Sequence, residues 1–432
     1  MRSNYKKLGP YIREIYIRNN EEIKEPLLGV STQKKFIPSI ANTVGTNFKR
    51  YKVVERKQFT YVPDTSRRGD RIGIALLESH DKAMVSQAYT VFEIIDHQQL
   101  MPEYLMMWFR REEFDRYARY MSHGSVREIF GWDEMCEVEI PVPSIDKQRE
   151  IVAEYNAVVD RIELNEQINQ KLEETAKAIY RHWFEEFEFP ISKEYAESIG
   201  KPELEGQSYK SNGGEMVYNE ELDGEIPKGW QKSNLEAISA IIDGDRGKNY
   251  PSRGDYLEEG YCLFLNAGNV TSTGFDFSDN KFISKERDGL LRKGKLKRYD
   301  TILTTRGTVG NVAYYSPGIV YEHLRINSGM VILRPKVESE GNFLYSLMRS
   351  STMSNNIKTY LSGSAQPQLP IRDIRKMLIV LPTDNLIQSF CNHTKPPQKH
   401  IDLLNIENRR LYELSSILLS KMSVAGERLE LA

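Results

Sequence analysis

Residues 151–183 read IVAEYNAVVDRIELNEQINQKLEETAKAIYRHW, and the spacing of their apolar side chains decides the fold. With Ile151 at heptad position d, the d series is Ile151, Val158, Asn165, Leu172 and Ile179, and the a series is Tyr155, Ile162, Asn169, Ala176 and Trp183. All but the two asparagines are apolar or aromatic, which is a coiled-coil seam rather than one face of a surface helix. At 1.5 Å per residue this helix is about 50 Å long. A buried seam Asn fixes register and partner at some cost in stability. The other reading places Asn165 and Asn169 in solvent, at a local departure from the heptad.

A second seam lies near the C-terminus. Ile401, Asn408, Ser415 and Met422 form one series, and Leu404, Leu411 and Leu418 the other. The simplest pairing sets 151–183 antiparallel to 398–422. Pro396-Pro397 precedes the second seam. Proline in a helix interior costs about 3 kcal/mol, so the spacing predicts a break there and a short separate helix before it.

The chain also repeats itself at an offset of 239. Thr65-Ser66-Arg67 matches Thr304-Thr305-Arg306, Leu105 matches Leu344, and Gly124-Ser125 matches Gly363-Ser364. Pro143 matches Pro382, and Ile162-Glu163-Leu164 matches Ile401-Asp402-Leu403. A period this long is a duplicated domain with its helix, not a solenoid. In each half, strand-like runs and Gly/Asn/Asp turns lead to a helical segment (104–120 or 343–361), a Gly-Ser loop, a strand, a proline and a long helix. Segments 105–143 and 344–382 should superpose, with Ile94 equivalent to Leu333. The expected fold class is α+β: two similar globular domains, joined by two long helices in an antiparallel coiled coil with pseudo-twofold symmetry. The expected boundaries are 1–146, 147–187 (helix), 188–225 (linker), 226–384, and 385–432 (helix, interrupted near Pro396).

Charge supports this division. Residues 226–384 carry 22 basic and 16 acidic side chains, and residues 1–60 carry 13 and 5. The segment 188–225, rich in Glu, Gly, Ser and Lys, carries 3 and 10 and reads as a linker. The distribution allows a nucleic-acid partner. Cys136, Cys262 and Cys391 are few, odd in number and far apart, which excludes a disulfide framework or CxxC site. With no apolar run long enough to span a membrane and no signal peptide, the expected compartment is the cytoplasm.

Catalytic motifs are missing. Gly247-Lys248 is followed by Asn249, with no glycine five residues before Gly247, so there is no Walker loop. No GxGxxG and no His-Glu-x-x-His occur, and the seven histidines lack metal-ligand spacing. There is no Asn/Asp-Pro-Pro-Tyr/Phe stretch, and no Glu-x-Lys follows Pro63-Asp64. What remains is recognition chemistry: the turns at Arg67-Arg68-Gly69 and Arg306-Gly307, the loop 243–249, and the matched loops 122–127 and 362–368. Arg, Lys, Asn and Gln read base edges or hold phosphates. The candidate DNA-facing residues are Lys34, Lys35, Arg67, Arg68 and Arg127 in the first half, and Arg246, Lys248, Arg306, Gln366 and Gln368 in the second. The plainer reading makes them ordinary solvated turns.

The order of these features resembles the specificity subunit of a type I restriction-modification system. The resemblance covers essentially the whole chain. It rests on Ile140-Pro141-Val142-Pro143, Gln148, Glu174-Thr175-Ala176, Phe187-Glu188-Phe189-Pro190, Tyr209-Lys210-Ser211-Asn212-Gly213-Gly214 and Ile226-Pro227-Lys228-Gly229-Trp230, in that order. Tyr89-Thr90-Val91-Phe92-Glu93-Ile94 and the loop 244–251 add to it. The second half departs at Ile387, where the first has Gln148. The resemblance implies that each globular block is a target-recognition domain reading half of a split double-stranded DNA sequence. The helices would hold the blocks apart and dock two methyltransferase subunits, which carry S-adenosylmethionine and methylate adenine. Motor-nuclease subunits would complete the complex, while this chain holds neither cofactor nor metal nor catalytic residues. A coiled-coil scaffold with two protein-binding domains and no DNA contact is the alternative. A divergent nuclease is a further one, and cleavage of DNA by the purified chain would reveal it.

Overall fold

The structure is a computed structural model that describes residues 5–20, 25–39, 46–66, 71–123, 128–361 and 367–423. The chain divides into two compact units, Met1–Glu163 with Arg409–Ala432, and Leu164–Asn408. Each unit therefore takes one part of each long helix.

In the first unit the strand Thr90–Ile94 is central. It pairs antiparallel with Ile12–Ile15 on one side and Phe59–Tyr61 on the other, and Ile74–Leu76 adds the fourth strand. Its Val91, Phe92 and Ile94 are buried, the β-branched and aromatic types that fit a packed pleat. Phe59 and Phe92 are directly opposed across the ladder and stack with ring centroids 4.8 Å apart. The helix Pro102–Phe109 joins the same core. It starts on a proline, tolerated where an N–H has no partner anyway, and seven of its eight residues are buried. The helix Glu112–Met121 follows with Phe114, Asp115 and Ala118 inward. A smaller sheet places Leu27–Val30 parallel to Lys82–Val85.

The second unit repeats this topology. Met330–Pro335 is central between Ser239–Asp243 and Thr301–Thr304, with Val312–Tyr314 outermost. Its smaller sheet again contains one parallel pair, Cys262–Leu265 with Leu324–Ile326. Gly341–Met348, Ser351–Thr359 and Asp384–Lys421 each begin 239 residues after Pro102–Phe109, Glu112–Met121 and Ile145–Tyr180. The offset does not hold earlier in the chain. Ile12 faces Ile94 where Ile241 faces Leu333, a spacing of 229, and Phe59 faces Phe92 where Leu303 faces Val331, a spacing of 244. The Thr65-Ser66-Arg67 match is therefore corrected: the bridge Asp64–Ile129 corresponds to Arg306–Gln368, so Asp64 holds the place of Arg306. The turns between strands differ in length, and a tripeptide identity is too short to detect that.

Two further expectations are corrected. The second long helix is not interrupted near Pro396. It runs from Asp384 to Lys421 with both prolines inside. The acceptors that lose their N–H partners are the carbonyls of Asn392 and His393, both exposed residues that water can serve. Buried Phe390, Cys391 and Thr394 before the prolines and Ile401, Asp402 and Leu404 after them hold the helix together by packing. The segment 188–225 is not a bare linker. It contains the helix Lys193–Ser198 and a hairpin of Met216–Asn219 with Gly224–Pro227. Phe189 stacks on Tyr209 at 4.5 Å and on Trp230 at 5.3 Å, and these rings join the second unit's core. A Cβ on Gly214 would collide with the Tyr209 ring, which accounts for glycine there.

Along the long helices, Val158, Ile162, Ile401, Leu404 and Asn408 are buried, and Ile151, Asn169, Leu172, Ile179, Leu411 and Leu418 are half-buried. Asn165 is fully buried. Its Nδ2 donates to Asn408 Oδ1 at 2.8 Å and to Glu407 Oε2 at 3.1 Å, and Asn169 Nδ2 donates to Asn405 Oδ1 at 2.8 Å. The rising numbers on one helix meet falling numbers on the other, so the pair is antiparallel.

Candidate nucleic-acid interface

Lys34, expected on the DNA face, is buried and points into the first unit. It sits at φ 60° in a turn closed by bonds between Ser31 and both Lys34 and Lys35. Its Nζ lies 2.8 Å from Asp115 Oδ1, 5.5 Å from the Phe114 ring centroid, and donates to the Phe109 carbonyl. Phe109 ends its helix, where carbonyls lack intrahelical partners, and Asp115 is a buried carboxylate in need of a cation. Burial pushes the Lys34 ammonium below the usual lysine range against the opposing pull of Asp115. The cue was present in sequence: an aspartate between Phe114 and Ala118 on an apolar face demands an internal partner.

Lys35 is exposed, with Nζ 3.6 Å from Glu163 on the first long helix. Arg67, Arg68 and Arg127, together with Gln366 of the second half, lie outside the described residues. The first unit instead offers Tyr16, Ile17 and Arg18, which sequence reasoning missed. By sheet register these hold the places of Asp245, Arg246 and Gly247. Tyr16 is 61% exposed yet held in place. Arg18 Nη2 donates to its hydroxyl at 2.6 Å, and Lys52 Nζ lies 4.9 Å from its ring centroid. Backbone bonds from Val53 to Ile17 (2.8 Å) and from Asn19 to Tyr51 (2.9 Å) tie the loop to the neighbouring strand. A fixed aromatic ring beside cations suits stacking on bases or sugars.

In the second unit two separated segments meet at the turn 327–329, and a third joins them through Arg306. The Gly329 carbonyl accepts from Thr305 N at 2.8 Å and Arg306 N at 3.1 Å. Arg306 bridges Gln368 in the backbone, fixed by Leu369 N to Thr305 O at 3.0 Å. Arg246 Nη2 donates to the Ser328 carbonyl at 3.3 Å and to Asp243 at 3.2 Å. Glycine is required at 244, because a Cβ there would collide with the Asn327 carbonyl. Arg246, Arg306 and Gln368 are thus brought onto one face, with Arg306 and Gln368 exposed. Lys248 lies beside it in a recess with Arg292, which sequence reasoning did not single out. Asp245 organises this loop. Its carboxylate accepts from Gly247 N at 2.8 Å and Arg292 N at 2.7 Å, and these backbone donors hold it below the usual carboxylate range. Among the described residues no cluster of His, Cys, Asp and Glu could hold a metal, and no helix is long and apolar enough to cross a membrane.

Comparison with known proteins gives one family. The model of the type I restriction modification DNA specificity domain matches twice, at residues 6–174 and 227–389. The MjaIX specificity subunit of Methanocaldococcus jannaschii is 26% identical over 305 residues, covering 70% of this chain and 64% of that protein, a little under two thirds of its length. The HindI specificity subunit of Haemophilus influenzae is 25% identical over 391 residues, covering 79% of this chain and 81% of that protein. The crystal structure of the type I restriction-modification S subunit from M. genitalium has the same fold, with a TM-score of 0.52 at 13% identity over 97% of this chain and 95% of that one. With both globular units matched, the chain belongs to the type I restriction modification DNA specificity domain family and has the two-domain organisation of a specificity subunit.

Proposed function

We propose that this chain is the non-catalytic DNA-reading subunit of a type I restriction-modification complex. Each unit recognises one half of a split double-stranded target. The observation that carries this is the double family match falling on two units of the same topology, each with its own cationic loop face. The faces differ in chemistry. The first presents Tyr16 and Arg18, and the second Arg246, Arg306 and Gln368, so the two half-sites should differ. Arg and Gln forks discriminate bases in the major groove, while lysines on phosphates position the protein. The paired helices set the separation of the half-sites and dock two methyltransferase subunits. Those subunits supply S-adenosylmethionine chemistry, and motor-nuclease subunits complete the complex. Sequencing methylated adenines in cells with and without this gene tests the proposal. A split motif present only with the gene is expected, and an unchanged methylation pattern would refute it.

A further inference from the structure

We propose that the recess between residues 245–249 and 290–293 seats one phosphate of the DNA backbone, with Lys248 and Arg292 as its cations. This rests on the DNA-reading function above and divides the labour within the second unit: the recess anchors, and the face at Arg246, Arg306 and Gln368 reads.

The recess measures about 270 Å³ and is lined by Asp245, Gly247, Lys248, Asn249, Leu290 and Arg292. At about 30 Å³ per water, that leaves room for a hydrated phosphate. Both walls are fixed without a ligand. Asp245 ties the Gly247 and Arg292 backbones together, and Asn249 Nδ2 donates to the Leu290 carbonyl at 3.2 Å. From behind, buried Arg325 donates to the Lys293 carbonyl at 2.6 Å and pairs with Asp288 at 2.7 Å. A Cβ on Gly247 would stand 3.2 Å from Arg292 Nη2, so the guanidinium lies over the glycine of this loop.

The charge balance favours an anion. Lys248 and Arg292 line the recess, are exposed and form no salt bridge among the described residues. The opposing charge is Asp245, whose two oxygens are each engaged by a backbone N–H. A lysine and an arginine over an amide-braced loop hold an anion, and contacts to phosphate carry no sequence information directly.

The test compares the full-length chain with the double variant Lys248→Gln/Arg292→Gln. Each is titrated with a duplex carrying the mapped target and with a scrambled duplex, over a range of salt. One lost phosphate contact predicts equal weakening on both duplexes and a log–log salt slope shallower by about one. The variant Lys248→Arg/Arg292→Lys should keep the parent slope, which separates charge from folding. Inorganic phosphate at matched ionic strength should not displace the duplex; if it competed, the recess would belong to free phosphate and the proposal would fail. An unchanged slope in the Gln variant overturns the proposal and leaves the recess to an acidic protein partner. A selective loss on the target duplex overturns it in favour of base reading. If the unsubstituted chain bound both duplexes equally, sequence recognition would fail while the slope still tested the recess. If it bound neither, both readings would fall.

Discussion

Lys34 and Asp245 show how charged side chains in similar turns part company. A lysine in a Gln-Lys-Lys turn reads as solvated, yet the left-handed backbone at 34 turns the side chain inward onto Asp115. Replacing Lys34 by Met keeps its length and removes the charge. The Asp115 carboxylate is then buried without its cation, and stability should fall by about 3–5 kcal/mol in urea melts. Adding Asp115→Asn, which keeps an acceptor for Ile72 N, should recover much of the loss. A Lys34→Met chain of parental stability with weakened DNA binding would restore the surface reading. Asp245 makes a pH prediction. Its carboxyl is held below the ordinary value of about 3.9, so its contribution is present above that pH and is lost as pH falls through the lower folded value. Asp245→Asn should therefore flatten this part of the acid limb of stability. Equal acid sensitivity of parent and variant would contradict it. Arg246, Arg306 and Gln368 were readable because their residue types sit in turns. Arg292 was not, because only the Asp245 bridge between two distant segments brings it in.

The helices and strands were more readable than the residues on them. Heptad spacing marks a seam whatever the tertiary context, and Asn165 and Asn408, two of its polar positions, meet as partners, while Asn405, the partner of Asn169, stands outside the series read from spacing. The break at Pro396-Pro397 was misread because local propensity was weighed without packing: the helix is buried on both sides of the pair. The segment 188–225 was misread for the same reason, since composition hides that Phe189 and Tyr209 close onto Trp230. The Asn pair gives a double-mutant test. Asn165→Leu alone leaves the Asn408 amide buried without its partner and should cost about 1–3 kcal/mol. Asn165→Leu/Asn408→Leu should regain that and more, at the expense of register. Urea midpoints for the two singles and the double measure the coupling, and strict additivity would mean the amides do not interact.

Across the whole chain, the units do not coincide with the sequence blocks. A block exchange designed from sequence would replace 226–384. In the structure the second unit is 164–408, and its core mixes side chains from both sides of that cut. Tyr180 and Phe184 of the first helical region, Phe343 of the globular block and Phe390 of the second long helix meet as rings 5.0–6.2 Å apart. Arg349 reaches Glu173 at 2.8 Å across the same boundary. Exchanging 226–384 with a relative's block breaks these contacts wherever the two sequences differ. Large-to-small or mismatched aromatic packing costs about 3–5 kcal/mol per ring. Exchanging 164–408 carries the core, the Asn165–Asn408 pair and the loop face together, and cuts only within helices. The longer exchange should therefore match the parent in thermal stability and alter one half of the methylated sequence. The shorter should alter the same half but melt earlier. If either exchange changed both halves, the two faces would not read independently. If the shorter melted no earlier than the longer, the helices would not belong to the unit whose core they fill.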